Sequence, residues 1–152
     1  MKKALITGSF DPPTLGHLDL IERCSALFDQ TVVCIFVNSE KNYMFGLEKR
    51  RKMLEAVCAR FDNVTVDAYG GLVADYAAEN GIDVIVKGAR NGADYDYECM
   101  IARVNDSVFE TETVILPSRP GLEHVSSTAA REMIKYNGRI EAYLPQEVIA
   151  LL

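Results

Sequence analysis

Short apolar runs alternate along this chain with longer stretches in which apolar residues recur every three or four positions. Residues 4–6 predict a strand, followed by a Gly/Pro-rich loop and a helix over residues 16–28, with Leu20, Cys24, Leu27 and Phe28 on one stripe edged by Ile21. The unbroken β-branched run over residues 31–37 (TVVCIFV) reads as a strand covered on both faces. Residues 47–60 then carry Leu54 and, with Val57, Cys58 and Phe61, the spacing of one helix face. A third strand is expected over residues 64–68, a helix over 72–80 ended by Gly81, and a fourth strand over 83–87. Residues 93–109 predict the longest helix, with Tyr97, Met100, Ile101, Val104 and Val108 on its inner side. A fifth strand over 113–116 stops at Pro117, and short helices over 127–136 and 145–152 follow.

Five strand–helix alternations imply right-handed βαβ units. The expected fold class is therefore α/β, a single Rossmann-like doubly wound domain over residues 1–152, with a five-stranded, mainly parallel sheet and helices on both faces. Such sheets bind ligands at the carboxyl ends of their strands, where the strand order reverses. The loops after the first and fourth strands thereby become the first places to look.

Composition narrows the function classes. A formal charge of -6 argues against a general nucleic-acid binder but leaves room for a few cations at one anion site. Cys24, Cys34, Cys58 and Cys99 form no CxxC or Cys/His cluster and read as reduced, mostly core thiols of a cytoplasmic protein. No apolar stretch approaches the roughly 20 residues of a membrane span, and residues 1–7 are too short an apolar run for a signal peptide.

The loop after the first strand is Gly8-Ser9-Phe10-Asp11-Pro12-Pro13-Thr14-Leu15-Gly16-His17. Gly8 allows close backbone approach, the prolines stiffen the turn, and Ser9 and the following helix terminus can donate to phosphate oxygens. His17, in the first helical turn, can donate to an oxygen on phosphorus undergoing displacement. The string is neither a Walker A loop nor a dinucleotide fingerprint. Lys41, after the second strand, is a point cation suited to a substrate phosphate. Lys87-Gly88-Ala89-Arg90 closes the fourth strand with two cations around a glycine, an anion clamp. Val125-Ser126-Ser127-Thr128 opens a helix with hydroxyls that can cap it or hold phosphates. As acids near a helix start, Asp94, Asp96 and Glu98 read as helix-dipole partners.

Thr14-Leu15-Gly16-His17 resembles the (H/T)xGH signature of the nucleotidylyltransferase superfamily, and residues 8–17 resemble the G(T/S)FDPxTxGH pattern of its phosphopantetheine adenylyltransferase family. Residues 41–51 are similar to that family's K-x-x-MF-x-LEER region, with Lys49 in place of the second Glu. KGAR followed by Asp94-Tyr95-Asp96-Tyr97-Glu98 resembles its (R/K)G(L/V)R…DF-x-YE, and residues 125–128 its ISSS/ISST. The resemblance implies a Rossmann-like fold and adenylyl transfer from ATP to 4'-phosphopantetheine, with Mg²⁺ accompanying ATP. It implies catalytic roles for His17, Lys41 and Arg90, and substrate contacts at Ser9, Lys41, Val73 and Lys87. ATP contacts are implied at Ser9, Phe10, His17, Gly88, Ala89, Arg90, Glu98, Leu122, Glu123, His124, Val125, Ser126, Ser127 and Thr128, with no metal-ligating side chain. The segment before residue 125 lacks the family's aromatic residue, and His124 reads as a loop residue rather than a second catalyst. A homohexamer and feedback binding of coenzyme A are implied as well; no nucleic-acid or membrane partner is expected. The rivals are a nicotinate or nicotinamide mononucleotide adenylyltransferase, against which Thr14 and KGAR–DYDYE weigh, and a nucleotide-binding regulatory domain without turnover. A purely structural protein leaves the cations at the strand ends unexplained.

Overall fold

A computed structural model describes residues 1–152. Its elements in chain order are β1 (Lys3–Gly8), α1 (Leu15–Leu27), β2 (Gln30–Phe36), α2 (Leu47–Cys58), β3 (Val64–Tyr69), α3 (Val73–Glu79), β4 (Val84–Ala89), α4 (Gly92–Val108), β5 (Glu112–Pro117), α5 (Ser127–Lys135), a 3-10 turn (Ile140–Ala142) and α6 (Gln146–Ile149). The five strands form one sheet in the order β3-β2-β1-β4-β5, and every pair is parallel. That arrangement is the expected Rossmann-like α/β fold, parallel throughout. The chain builds β1-β2-β3 outward, then returns to lay β4 on the other side of β1, so the order reverses between β1 and β4.

Each face of the sheet has its own core. On one, Ile6, Val33, Ile35 and Val86 meet α1, α2 and the C-terminal helices through Ile21, Cys24, Met53, Leu54, Val57, Ala130 and Val148. On the other, Leu5, Val32, Cys34 and Ile85 meet Tyr76 and Ala77 of α3. Burying side chains such as Leu54 stabilises the fold by roughly 1.5–3 kcal/mol each. Burial also pushes the thiols of Cys24, Cys34 and Cys58 up to about 12, which keeps them protonated and inert. Gly81 ends the α3 hairpin at φ +63, a conformation that favours glycine.

Three local expectations change. The stripe on α4 is not an inner face: no α4 residue is buried, and Tyr97, Met100, Val104 and Val108 are exposed because β4, β5 and α3 cover only the helix's opposite side. Leu27 leaves the α1 stripe for solvent, whereas Ile21, placed at its edge, is fully buried. The C-terminal helix shrinks to Gln146–Ile149 behind the 3-10 turn. No helix is long and apolar enough to cross a membrane.

Candidate active site

An open cavity of about 240 Å³ lies at the reversal point, its floor formed by Ile6 and Thr7 of β1 and Val86, Lys87 and Gly88 of β4. The N-terminal turn of α1 brings His17 to its wall. Thr14 caps α1 as a reciprocal box: its side chain accepts from the His17 N–H, and its own N–H donates to His17 Nδ1 at 3.0 Å. An occupied Nδ1 puts the neutral ring's proton on Nε2. The Phe10 ring packs 4.8 Å from the imidazole, centroid to centroid. Burial, helped by the nearby Lys87 and Arg90 cations, pushes the His17 pKa down to about 4. At neutral pH, His17 is thus an uncharged donor held in one tautomer.

Lys87 donates to the Thr7 hydroxyl at 3.1 Å and lies 3.4 Å from a Glu98 carboxylate oxygen. That oxygen is buried and accepts no hydrogen bond, so the ion pair alone compensates it. Arg90 is anchored by Asp94, which accepts from its Nε at 2.9 Å and from its backbone N–H. Asp94 sits in the first turn of α4, where Asn91 caps its N–H, so its two roles coexist: helix-dipole partner and arginine holder. Opposite them, Ser126 caps α5 by accepting from the Ala129 N–H, leaving the backbone donors of Ser127 and Thr128 without protein acceptors. The Ser127 hydroxyl instead donates to the Pro12 carbonyl, pinning α5 to the first loop. The wall therefore offers the neutral His17 donor, the Lys87 and Arg90 cations and a helix N-terminus, a set suited to a polyphosphate.

Beside this cavity, the Lys41 ammonium donates to the Ser9 hydroxyl at 3.3 Å, joining the loops after β1 and β2. The Asp11 carboxylate secures the same junction by accepting from the N–H groups of Met44 and Phe45. An added Cβ at Gly8 would stand 3.2 Å from the Phe10 ring, so glycine is what lets the loop fold this tightly.

Of the residues singled out in the sequence, Thr14, Gly16, His17, Lys87, Gly88, Arg90, Glu98, Val125, Ser126 and Ser127 line the cavity. Ser9 and Lys41 form the adjoining pair, and Val73 begins α3 against the second core. The Phe10 side chain is buried, which leaves only its backbone for a ligand, and Ala89 is buried at the end of β4. Leu122, Glu123, His124 and Thr128 do not line the cavity. Glu123 accepts from Gly121 N–H, the His124 ring meets Tyr143 edge-on, and the Thr128 hydroxyl accepts from Arg131. Sequence reasoning missed Asp19 and Arg23. Asp19 is buried between Arg23 at 3.3 Å and Arg119 at 3.1 Å, and Arg23 also donates to the Pro117 carbonyl. Their i, i+4 spacing was readable, but the partnership with Arg119 depends on β5 lying beside β4. No group of three or more His, Cys, Asp or Glu side chains is placed to hold a metal ion.

Residues 5–133 match the family described as cytidylyltransferase-like. The chain is 40% identical over 153 residues to the phosphopantetheine adenylyltransferase of Corynebacterium diphtheriae, covering 100% of this chain and 96% of that one. It is 37% identical over 150 residues to that of Clostridium perfringens, covering 98% and 92%. Among solved structures, a Vibrio parahaemolyticus protein described as a nicotinate-nucleotide adenylyltransferase superposes with a TM-score of 0.71 at 22% identity, over 100% of this chain and 92% of that one. A lipopolysaccharide core biosynthesis protein of Thermoplasma volcanium gives 0.58 at 21%, over 78% and 98%; both share the fold. By fold, motif order and full-length similarity, the chain belongs to the phosphopantetheine adenylyltransferase family of cytidylyltransferase-like proteins.

Proposed function

We propose that the protein transfers the adenylyl group of ATP to 4'-phosphopantetheine, giving dephospho-coenzyme A and pyrophosphate. The observation that carries the reading is the convergence of His17, Lys87, Arg90 and the α5 N-terminus on one cavity, with the Ser9–Lys41 pair beside it. An oxygen of the pantetheine phosphate attacks the ATP α-phosphorus in line. The bond from that phosphorus to the bridging oxygen breaks, and pyrophosphate leaves. The attacking phosphate is already an anion, so no side chain has to remove a proton. Lys41 and Ser9 hold that phosphate; His17 Nε2–H donates to the α-phosphate as charge builds on it. Arg90 and Lys87 offset the charge of the transferring and leaving groups, and the free N–H groups of α5 receive the leaving phosphates.

Mg²⁺ enters as part of the substrate Mg–ATP. The two carboxylates in the cavity wall are committed to cations, Asp19 to two arginines and Glu98 to Lys87. That donor set suits a metal that keeps its waters and phosphate oxygens rather than one caged by protein. Coenzyme A carries both the pantetheine arm and the adenine nucleotide, so it fits both half-sites as a feedback inhibitor. The protein is read as a homohexamer working in the cytoplasm; the exposed apolar face of α4 supports contact between copies.

Pyrophosphate release, measured with ATP and a panel of acceptor phosphates, tests the reading. Turnover with 4'-phosphopantetheine and not with nicotinate mononucleotide is expected; no turnover with saturating 4'-phosphopantetheine overturns it.

A further inference from the structure

Arg50, near the start of α2, is among the largest fully buried side chains in the protein, at 1% exposure. No carboxylate lies within 4.0 Å of its guanidinium. A buried cation without an anion is costly, so the groups that do receive it matter. Its Nε donates to the Phe45 carbonyl at 2.9 Å and its Nη1 to the Ser9 carbonyl at 2.8 Å. The Tyr43 ring lies 4.0 Å from the guanidinium carbon, covering it with a π-face. One planar fork therefore ties the loop after β1 to the segment that leads into α2.

The Ser9 carbonyl belongs to an unusual peptide unit. The next residue, Phe10, has φ +48, in the left-handed region that side chains other than glycine rarely occupy. The Ser9–Phe10 bond is trans, so its carbonyl and the Phe10 N–H point in opposite directions. With the carbonyl held by Arg50, the N–H faces away from α2, and it meets no acceptor in the protein. The same residue, Ser9, carries the hydroxyl that receives Lys41.

The geometry points to Arg50 as a positioning residue: its fork fixes the Ser9–Phe10 peptide, and through it the Ser9–Lys41 pair that grips the acceptor substrate's phosphate. The inference rests on the function proposed above, in which that pair holds 4'-phosphopantetheine. Arg50 touches no substrate; it acts through the orientation of one peptide. Arg50→Lys keeps the charge but cannot serve both carbonyls with one planar fork, so the geometry rather than the charge is what it removes.

The test is a double-mutant cycle of Arg50→Met and Ser9→Ala, with Arg50→Lys as the variant that carries the cycle should the Met protein fail to fold. Expected for Arg50→Met is a loss of about thirtyfold in kcat/KM for 4'-phosphopantetheine, with KM for ATP within about threefold of wild type. Arg50→Lys is expected to fall between the two. In the Ser9→Ala background the Arg50 substitution is expected to cost less than about threefold more, because its effect runs through Ser9. Losses that multiply, or equal damage to the KM of both substrates, overturn the positioning role while leaving the proposed reaction standing. A wild-type protein that is inactive toward 4'-phosphopantetheine overturns the function, and this inference with it.

Discussion

The backbone N–H of Thr14 donates to Nδ1 of His17 at 3.0 Å, which fixes the imidazole with its remaining proton on Nε2. Thr14 is therefore more than a helix cap: a helix-terminus motif sets the tautomer of the residue at the cavity wall. Burial, helped by Lys87 and Arg90, then keeps that ring neutral with a pKa pushed down to about 4.

A neutral His17 has a pH signature. Its pKa is lower in the folded protein than the ordinary 6.5 of the unfolded chain. Between those values the unfolded chain binds the extra proton, so stability is full above 6.5 and is lost as pH falls toward 4. The His17 imidazole resonances of the ligand-free protein, followed by NMR, are expected to titrate well below 6.5; a midpoint at the ordinary value contradicts a ring kept neutral by burial. In chemical denaturation, His17→Asn is expected to weaken the loss of stability across this acid range.

Replacing His17 with Ala is expected to lower kcat by about 10²–10³-fold, the usual worth of one donor aimed at developing charge. The far-ultraviolet dichroism stays as in wild type and the melt stays cooperative, since the Thr14 hydroxyl still accepts from the backbone of residue 17, while Tm falls because the Thr14 N–H loses His17 Nδ1. Near-normal turnover would reduce the motif to a structural role.

Asp94 orients Arg90 across a half-exposed ion pair at 2.9 Å. Asp94→Asn keeps the helix but loosens the arginine, and about a two- to fivefold rise in KM for ATP is expected from steady-state kinetics. Unchanged or tighter ATP binding would mean that Arg90 needs no holder.

Ser126 accepts from the Ala129 N–H at the start of α5. Ser126→Ala is expected to destabilise the protein by about 1 kcal/mol, lowering Tm by about 2–4 °C. Calorimetry showing no change would place the cap's worth below that of an ordinary N-cap.

The exposed stripe on α4 predicts self-association. Met100→Glu combined with Val104→Glu puts two charges on that face, and sedimentation is expected to show smaller species with secondary structure intact. An unaltered sedimentation profile would place any interface elsewhere.

What local physics encodes is legible in the chain alone. Apolar period and turn residues revealed five strands and the helices between them. The Gly, Pro, Thr and His of residues 8–17 and the cations of 87–90 marked both loops that line the cavity. The α4 stripe shows the limit of that reading, since periodicity reports that a face is apolar but not what covers it. Tertiary structure decided which loops meet. Thr7 and Lys87 lie 80 positions apart and touch only because β4 pairs with β1, and the Asp19–Arg119 contact requires β5 to pair with β4 in turn. Strand order is a contest among many long-range pairings that one strand's sequence does not resolve. Arg50 shows the same division: in the sequence it is one of several charges at the start of a helix, and only the packing of two loops makes it a buried fork.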